Sequence, residues 1–407
     1  MSDTLVKPTS PPAGAPPARR RNRLAIAGGA VLLLVLVLLP VLIGNEVAYL
    51  KVAQYILIGA VGGIGLTLLV GQAGQLSLAH PFFLLVGAVS YAVISGEAEA
   101  GLVGLGLPPV VGLVGAVLIS GLFGLAFAPV AGRLRGIYLG VASLSLVFLG
   151  LWLGQSLESL TGGTSSGRTP PNFELLGFVF ANSQPAPTIL GIAIQKQQRL
   201  WYLFLVLAVV AYLLARGAVR SRIGRAWRAV RDNEAAATAM GVNVTRVKAG
   251  AFVVSSAYAG LAGVMTALWL DLVKPDENEF TGNYSLTVAI AFLAIVIIGG
   301  LGSVPGAVFG AIVVYGLQQF FLLGANEFGW FADAQFGGLT AVVLSAFVYG
   351  AAVVLVVLFE PGGAAAIGRR LLARRTNTTD SRTDTAVPAA SGGRERSPER
   401  NDDDPRA

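Results

Sequence analysis

The chain contains no cysteine. That excludes disulfides, thiolate metal ligands and cysteine nucleophiles, and it names no compartment. Charge is also scarce, at 13% of 407 residues, against roughly 25% in an ordinary soluble domain. The scarcity is concentrated. Residues 24–44, 52–96, 100–132, 136–157, 200–215, 249–270, 280–326 and 334–359 hold no Asp, Glu, Lys or Arg. A proton relay through His80 would want acidic partners in the spans, and these runs supply none. His80, the single histidine, is read as a structural hydrogen-bonding residue and is no metal site by itself.

Apolar residues make up 54% of the chain, with mean hydropathy +0.70. Most of it must therefore face lipid or other membrane helices. The 52 glycines suit close helix crossing in a bilayer. The net charge of +7 gives no argument for nucleic acid, because the Lys and Arg flank apolar runs or lie in the tails. The expected fold is an all-α polytopic membrane protein. Runs of about 20 residues make one span each. Residues 52–96 and 280–326, at 45 and 47 residues, make two each. The count is ten spans with both termini cytoplasmic. Residues 1–22 and 361–407 read as disordered cytoplasmic tails, and 23–360 as the transmembrane domain. A signal peptide is the rival reading of the first run, but about 20 apolar residues exceed a signal core.

Charge sets the orientation. Only Lys51, Arg168, Lys196, Arg199 and Lys274, five of 29 basic residues, fall on segments assigned outside. Shifting the topology by one span would put a basic block on the wrong face, against the positive-inside rule. Residues 158–199 form the expected outer loop. Within it, Gly162-Gly163-Thr164-Ser165-Ser166-Gly167-Arg168-Thr169 mimics the spacing of a phosphate-binding loop. It lacks the lysine and the preceding strand that the motif requires, so it is rejected. If ATP drives this protein, another chain binds it.

Residues 216–248 form the densest polar block between apolar runs. Asn233 is a good N-cap, Glu234 to Met240 an Ala-rich helix, and Gly241 its end. Helical spacing predicts Arg228–Asp232 and Arg231–Glu234 pairs. Topology alone needs the arginines but not a capped helix, so the block reads as a docking knob pushed by a cytoplasmic partner. Two Gly-rich breaks interrupt the double-length runs. Gly71, Gln72, Gly74, Gln75 and Ser77 mark the first, ahead of His80-Pro81. Gly299, Gly300 and Gly302 mark the second, ahead of Pro305. Such paired interruptions point to a translocation path. Tight hairpins with close helix crossing are the alternative. The glutamines could meet a polar substrate, or satisfy backbone groups freed by the break; the second is favoured.

Residues 224–236 with Gly241-Val242-Asn243-Val244-Thr245 resemble the coupling loop of ATP-binding-cassette importer permeases. The block looks most like that of the branched-chain amino acid permease family, M-type subunit. Residues 69–78 with His80, Arg133-Leu134-Arg135-Gly136-Ile137-Tyr138, Thr161-Gly162-Gly163-Thr164, and Gly299-Gly300-Leu301-Gly302-Ser303 with Gly306 are similar to further family signatures, in order. The resemblance spans about residues 50 to 360. It departs in having four residues, Ala237 to Met240, between Ala236 and Gly241, and Ala79 where glycine is usual.

The resemblance implies a multi-pass subunit of a bacterial cytoplasmic membrane, with no cofactor of its own. ATP and Mg would sit on two cytoplasmic ATP-binding subunits. The other implied partners are a homologous second permease, an extracytoplasmic solute-binding protein and membrane lipid. Arg225, Arg228, Asp232, Glu234, Ala235, Ala236 and Gly241 would carry coupling. A urea or short-chain amide permease is the alternative within the family. A stand-alone carrier or channel is the alternative outside it, and a scaffold or receptor is disfavoured by the small soluble fraction.

Overall fold

The computed structural model describes residues 31, 33–43, 46–99, 101–134, 136–175, 177–181, 188–189, 192–193, 195–276 and 284–327, with isolated positions between 347 and 363. The expected tails 1–22 and 361–407 and the expected last span 334–359 lie outside them, isolated positions aside. So does residue 135, and so do residues 280–283 of the second double-length run.

Every uncharged run that the described residues cover holds an apolar helix. These are α1 (Leu33–Ile43), α2 (Val47–Leu66), α3 (His80–Ser95), α4 (Pro109–Arg133), α5 (Ile137–Ser156), α7 (Lys196–Arg220), α10 (Val244–Leu270), α11 (Leu286–Gly299) and α12 (Val304–Glu327). Five of them are long and apolar enough to cross a membrane: α2 with the turn that follows it, α4, α5, α7 and α10. The remaining helices are short: α6 (Glu158–Thr161), α8 (Arg222–Asp232) and α9 (Glu234–Ala239). Among the described residues, the β-strands lie in the expected outer loop. There, β1 (Glu174–Leu175) pairs with β2 (Phe178–Val179), and β3 (Thr188–Ile189) with β4 (Ile192–Ala193), both antiparallel.

Helices α2 and α10 are mostly buried and form the centre, whereas only a minority of the residues of α4, α5 and α7 is buried. Leu118, Leu122, Tyr138 and Trp152 are among the large apolar side chains left outside. An exposed apolar surface of this kind suits lipid. Between membrane helices, lipid is as apolar as leucine, so close backbone approach replaces hydrophobic driving force. At the α3–α10 crossing, a Cβ on Gly87 would lie 2.3 Å from the Gly260 carbonyl oxygen.

Several interior polar groups close onto backbone. His80 Nε2 lies 3.1 Å from the Gly62 carbonyl oxygen, as expected of a structural histidine. Ser120 Oγ donates to Phe83 O at 3.1 Å. Tyr258 Oη donates to Ala211 O at 2.7 Å, tying α10 to α7.

The bundle end away from the basic block is stapled by a buried cation. Arg168 is 3% exposed, and its Nη1 donates to Val103 O at 2.6 Å and Leu160 O at 3.3 Å. The same residue pairs backbone to backbone with Val273. The rejected phosphate-loop mimic is thus an anchor joining three connecting segments. Gly162 follows the short helix α6, and among the described residues no strand precedes it.

Candidate functional site

The basic block is not a loop throughout. Helix α7 continues through Arg220, beyond the apolar run, and α10 begins at Val244, before the next run starts. Between them, α8 puts Gly224, Trp227 and Val230 on one buried face, at the i, i+3 spacing of a helix side. Ser221 caps α8, with its Oγ accepting from Ile223 N at 3.1 Å. Trp227 is 1% exposed. It sits in an apolar cluster with Leu68, Leu69, Phe252 and Val304. The basic helix is therefore keyed into the bundle by its aromatic residue, while Arg222 and Arg225 face outward.

Helix α9 has the two ends that its sequence requires. Asn233 Oδ1 accepts from Ala236 N at 3.0 Å. At the other end, Gly241 N donates to Thr238 O at 2.9 Å and Val242 N to Ala237 O at 3.0 Å. This is a Schellman closure, which needs a left-handed residue at the position after the cap. Gly241 takes it at φ +82. Ala237 faces inward, while Ala235, Ala236, Thr238, Ala239 and Met240 face outward. The outcome is a short projecting knob, with Met240 84% exposed at its tip.

The ion pairs differ from those that helical spacing predicts. Asp232 is met by its neighbour Arg231, at 2.9 Å. Glu234 is met by Lys248 of α10, at 2.7 Å, where the lysine side chain is 5% exposed. The chain is extended at Asn233 (φ −160, ψ 108). Arg231 and Glu234 therefore do not share one helix, and the i,i+3 rule does not apply across them. Glu234 is an anchor beneath the knob. Arg225 is exposed and Arg228 half-buried on α8.

Both predicted breaks are present, in a form that hydropathy does not describe. Helix α2 first widens into a π-helical turn over Thr67–Gln72, a local distortion common at functional sites. Residues 74–79 then run without helix, and α3 starts at His80. The second break is residues 300–303. Pro81 and Pro305 are each the second residue of a new helix, where proline lacks no needed amide. The breaking is done by glycine: Gly74, Gly300 and Gly302 have φ of +70, +94 and +80.

The fold brings the two breaks together. A Cβ on Gly71 would lie 2.1 Å from Gly302 N, so this contact is backbone against backbone. Gln72 Nε2 donates to Gly302 O at 2.6 Å. That glutamine thus serves a carbonyl freed by the second break. Gln75 is buried, and neither of its amide atoms has a partner. Ser77 is buried two residues further on, and Leu78 N donates to Ser143 Oγ of α5 at 2.8 Å. Gly299 is buried at the end of α11.

The family model described as "Branched-chain amino acid transport system / permease component" matches residues 48–358. The chain belongs to that family. It is a multi-pass permease component of the cytoplasmic membrane. The permease protein LivM of a high-affinity branched-chain amino acid transport system of Salmonella typhimurium is 28% identical over 302 residues. That alignment covers 72% of this chain and 67% of the relative. BraD of Pseudomonas aeruginosa, of the same description, is 27% identical over 69% of this chain and 87% of its own. The ribose import permease RbsC of Haemophilus influenzae is 27% identical over 65% of this chain and 74% of its own. No solved structure matches the family member described here.

Proposed function

We propose that this permease subunit moves branched-chain or related amino acids inward by alternating access, driven by two separate ATP-binding subunits that dock at α9. The observation carrying this reading is the capped, outward-facing knob at Glu234–Ala239, which follows directly on α8, the helix whose Arg231 bonds to the first break. An apolar tip outside the apolar bundle fits a protein groove better than water. The basic end then lies in the cytoplasm, with both termini on that side of ten spans. The second permease subunit is a homologue, as the LivM and LivH names of the relatives suggest. A solute-binding protein delivers cargo at the opposite face. The breaks at Gly71–Ser77 and Gly299–Gly302 form the inner gate of the path. Gln75, buried without partners, is the residue best suited to meet a passing polar group. The charge-free spans favour a machine worked from outside the membrane over an ion-coupled carrier.

The test is uptake by the assembled transporter carrying Glu234→Gln together with Gly241→Ala. Membrane insertion should persist while ATP-dependent uptake of labelled leucine is lost. Normal uptake by that double variant refutes the coupling role. Competition by leucine, urea and ribose separates the substrate classes.

A further inference from the structure

One contact ties the knob to the breaks, and its residue lies outside the coupling set named from the sequence. Arg231 is the next-to-last residue of α8, and its Nη1 donates to Gly71 O at 2.6 Å. Gly71 is in the last turn of the π-helical segment, where carbonyl oxygens lack amide donors from their own helix. A cation at that end also complements the helix dipole. The other edge of the guanidinium is held by Asp232 Oδ1, at 3.0 Å from Nε and 2.9 Å from Nη2. The stem of Arg231 fills the place of a side chain on Gly74, whose Cβ would lie 2.6 Å from Arg231 Cγ.

From the knob inward, the connections run without a gap. Asn233 caps α9 and follows Asp232 and Arg231 in the chain. Arg231 grips Gly71, and Gln72, beside it, grips Gly302. We propose that Arg231 is the positioning residue that transmits movement of α9 to both helix breaks, so that knob and breaks shift as one body. This rests on the coupling reading above and names the part that does the work. Arginine is required because its planar fork meets two partners in fixed directions. Lysine offers a single flexible point charge.

The experiment uses the complete transporter in lipid vesicles. Arg231→Met should leave both ATPase subunits bound and ATP hydrolysis within about twofold of the parent. Uptake should fall at least tenfold, so ATP consumed per solute rises at least about fivefold. Arg231→Lys should recover part of the loss. A second measurement uses the natural absence of cysteine. Spin labels at Met240→Cys and Leu301→Cys, both exposed, should keep one separation with and without nucleotide. In the Arg231→Met background that separation should become nucleotide-dependent. Unchanged uptake overturns the proposal, as does loss of the ATPase subunits from the complex, which would make Arg231 a docking residue. A Met240–Leu301 separation that changes with nucleotide in the parent overturns it too. The Glu234→Gln and Gly241→Ala double variant distinguishes the failures. If it blocks uptake while Arg231→Met does not, only the strut is wrong. If neither affects uptake, the coupling reading itself falls.

Discussion

Glu234→Gln removes the counter-charge of an ammonium that has little access to water. Lys248 is 5% exposed in its side chain and Glu234 28%, with 2.7 Å between nitrogen and oxygen. Deleting one partner of a fully buried pair costs about 3–5 kcal/mol, because the other charge is left stranded. Glu234 is partly solvated, so about 2–3 kcal/mol is appropriate here after allowing for screening. The loss falls on docking of α9 against α10 rather than on the bundle, which is held by packing elsewhere. At 1.36 kcal/mol per decade, it raises the undocked population about 30- to 150-fold. Amide hydrogen exchange reads that population directly. The amides of Met240, Gly241 and Val242 are bonded to Ala236, Thr238 and Ala237 carbonyls, and their protection should fall by this factor. Adding Lys248→Met removes the stranded charge and should restore most of the protection. Recovery stays incomplete, because a carboxylate in the first turn of a helix is itself worth about 0.3–1 kcal/mol. A change below threefold in the single variant refutes the reasoning. So does a double variant no better protected than the single.

Two further outcomes follow from the geometry. Gly71→Ala places a methyl group against the Gly302 backbone, 2.1 Å from its nitrogen. Overpacking of this kind costs about 1–3 kcal/mol. It should lower the thermal midpoint in detergent and reduce uptake, whereas alanine at Gly217, with nothing within 4 Å, should do neither. Arg168→Met leaves the carbonyls of Val103 and Leu160 without their donor. Hydrogen bonds to a charged group contribute about 1.5–3 kcal/mol, so limited proteolysis should cut residues 160–175 faster, with inner-end amide protection unchanged.

The parts of this protein that depend on neighbours along the chain were legible without coordinates. Apolar runs marked where helices form. Asn233 and Gly241 marked the ends of α9, since capping uses amides two to five residues away. Glycine marked both breaks, since backbone sterics act on single residues. Hydropathy alone set no boundary at the first break, because Leu76, Leu78 and Ala79 carry the apolar character through the non-helical residues 74–79. Helix α3 has 16 residues and α11 has 14, which at about 1.5 Å per residue fall short of a full bilayer crossing.

What joins these parts was settled only by the tertiary fold. Arg231 reaches Gly71 across 160 positions, and Gln72 reaches Gly302 across 230. No spacing rule extends that far, because helix periodicity correlates residues only within one helix. The same limit misdirected the ion pair at Glu234, whose partner Lys248 lies on α10. By itself the sequence established a charge-poor helical membrane protein, with two breaks and a capped basic segment. That the three meet at one end of the bundle follows from how α2, α8 and α12 pack, which depends on contacts between surfaces distant in the chain.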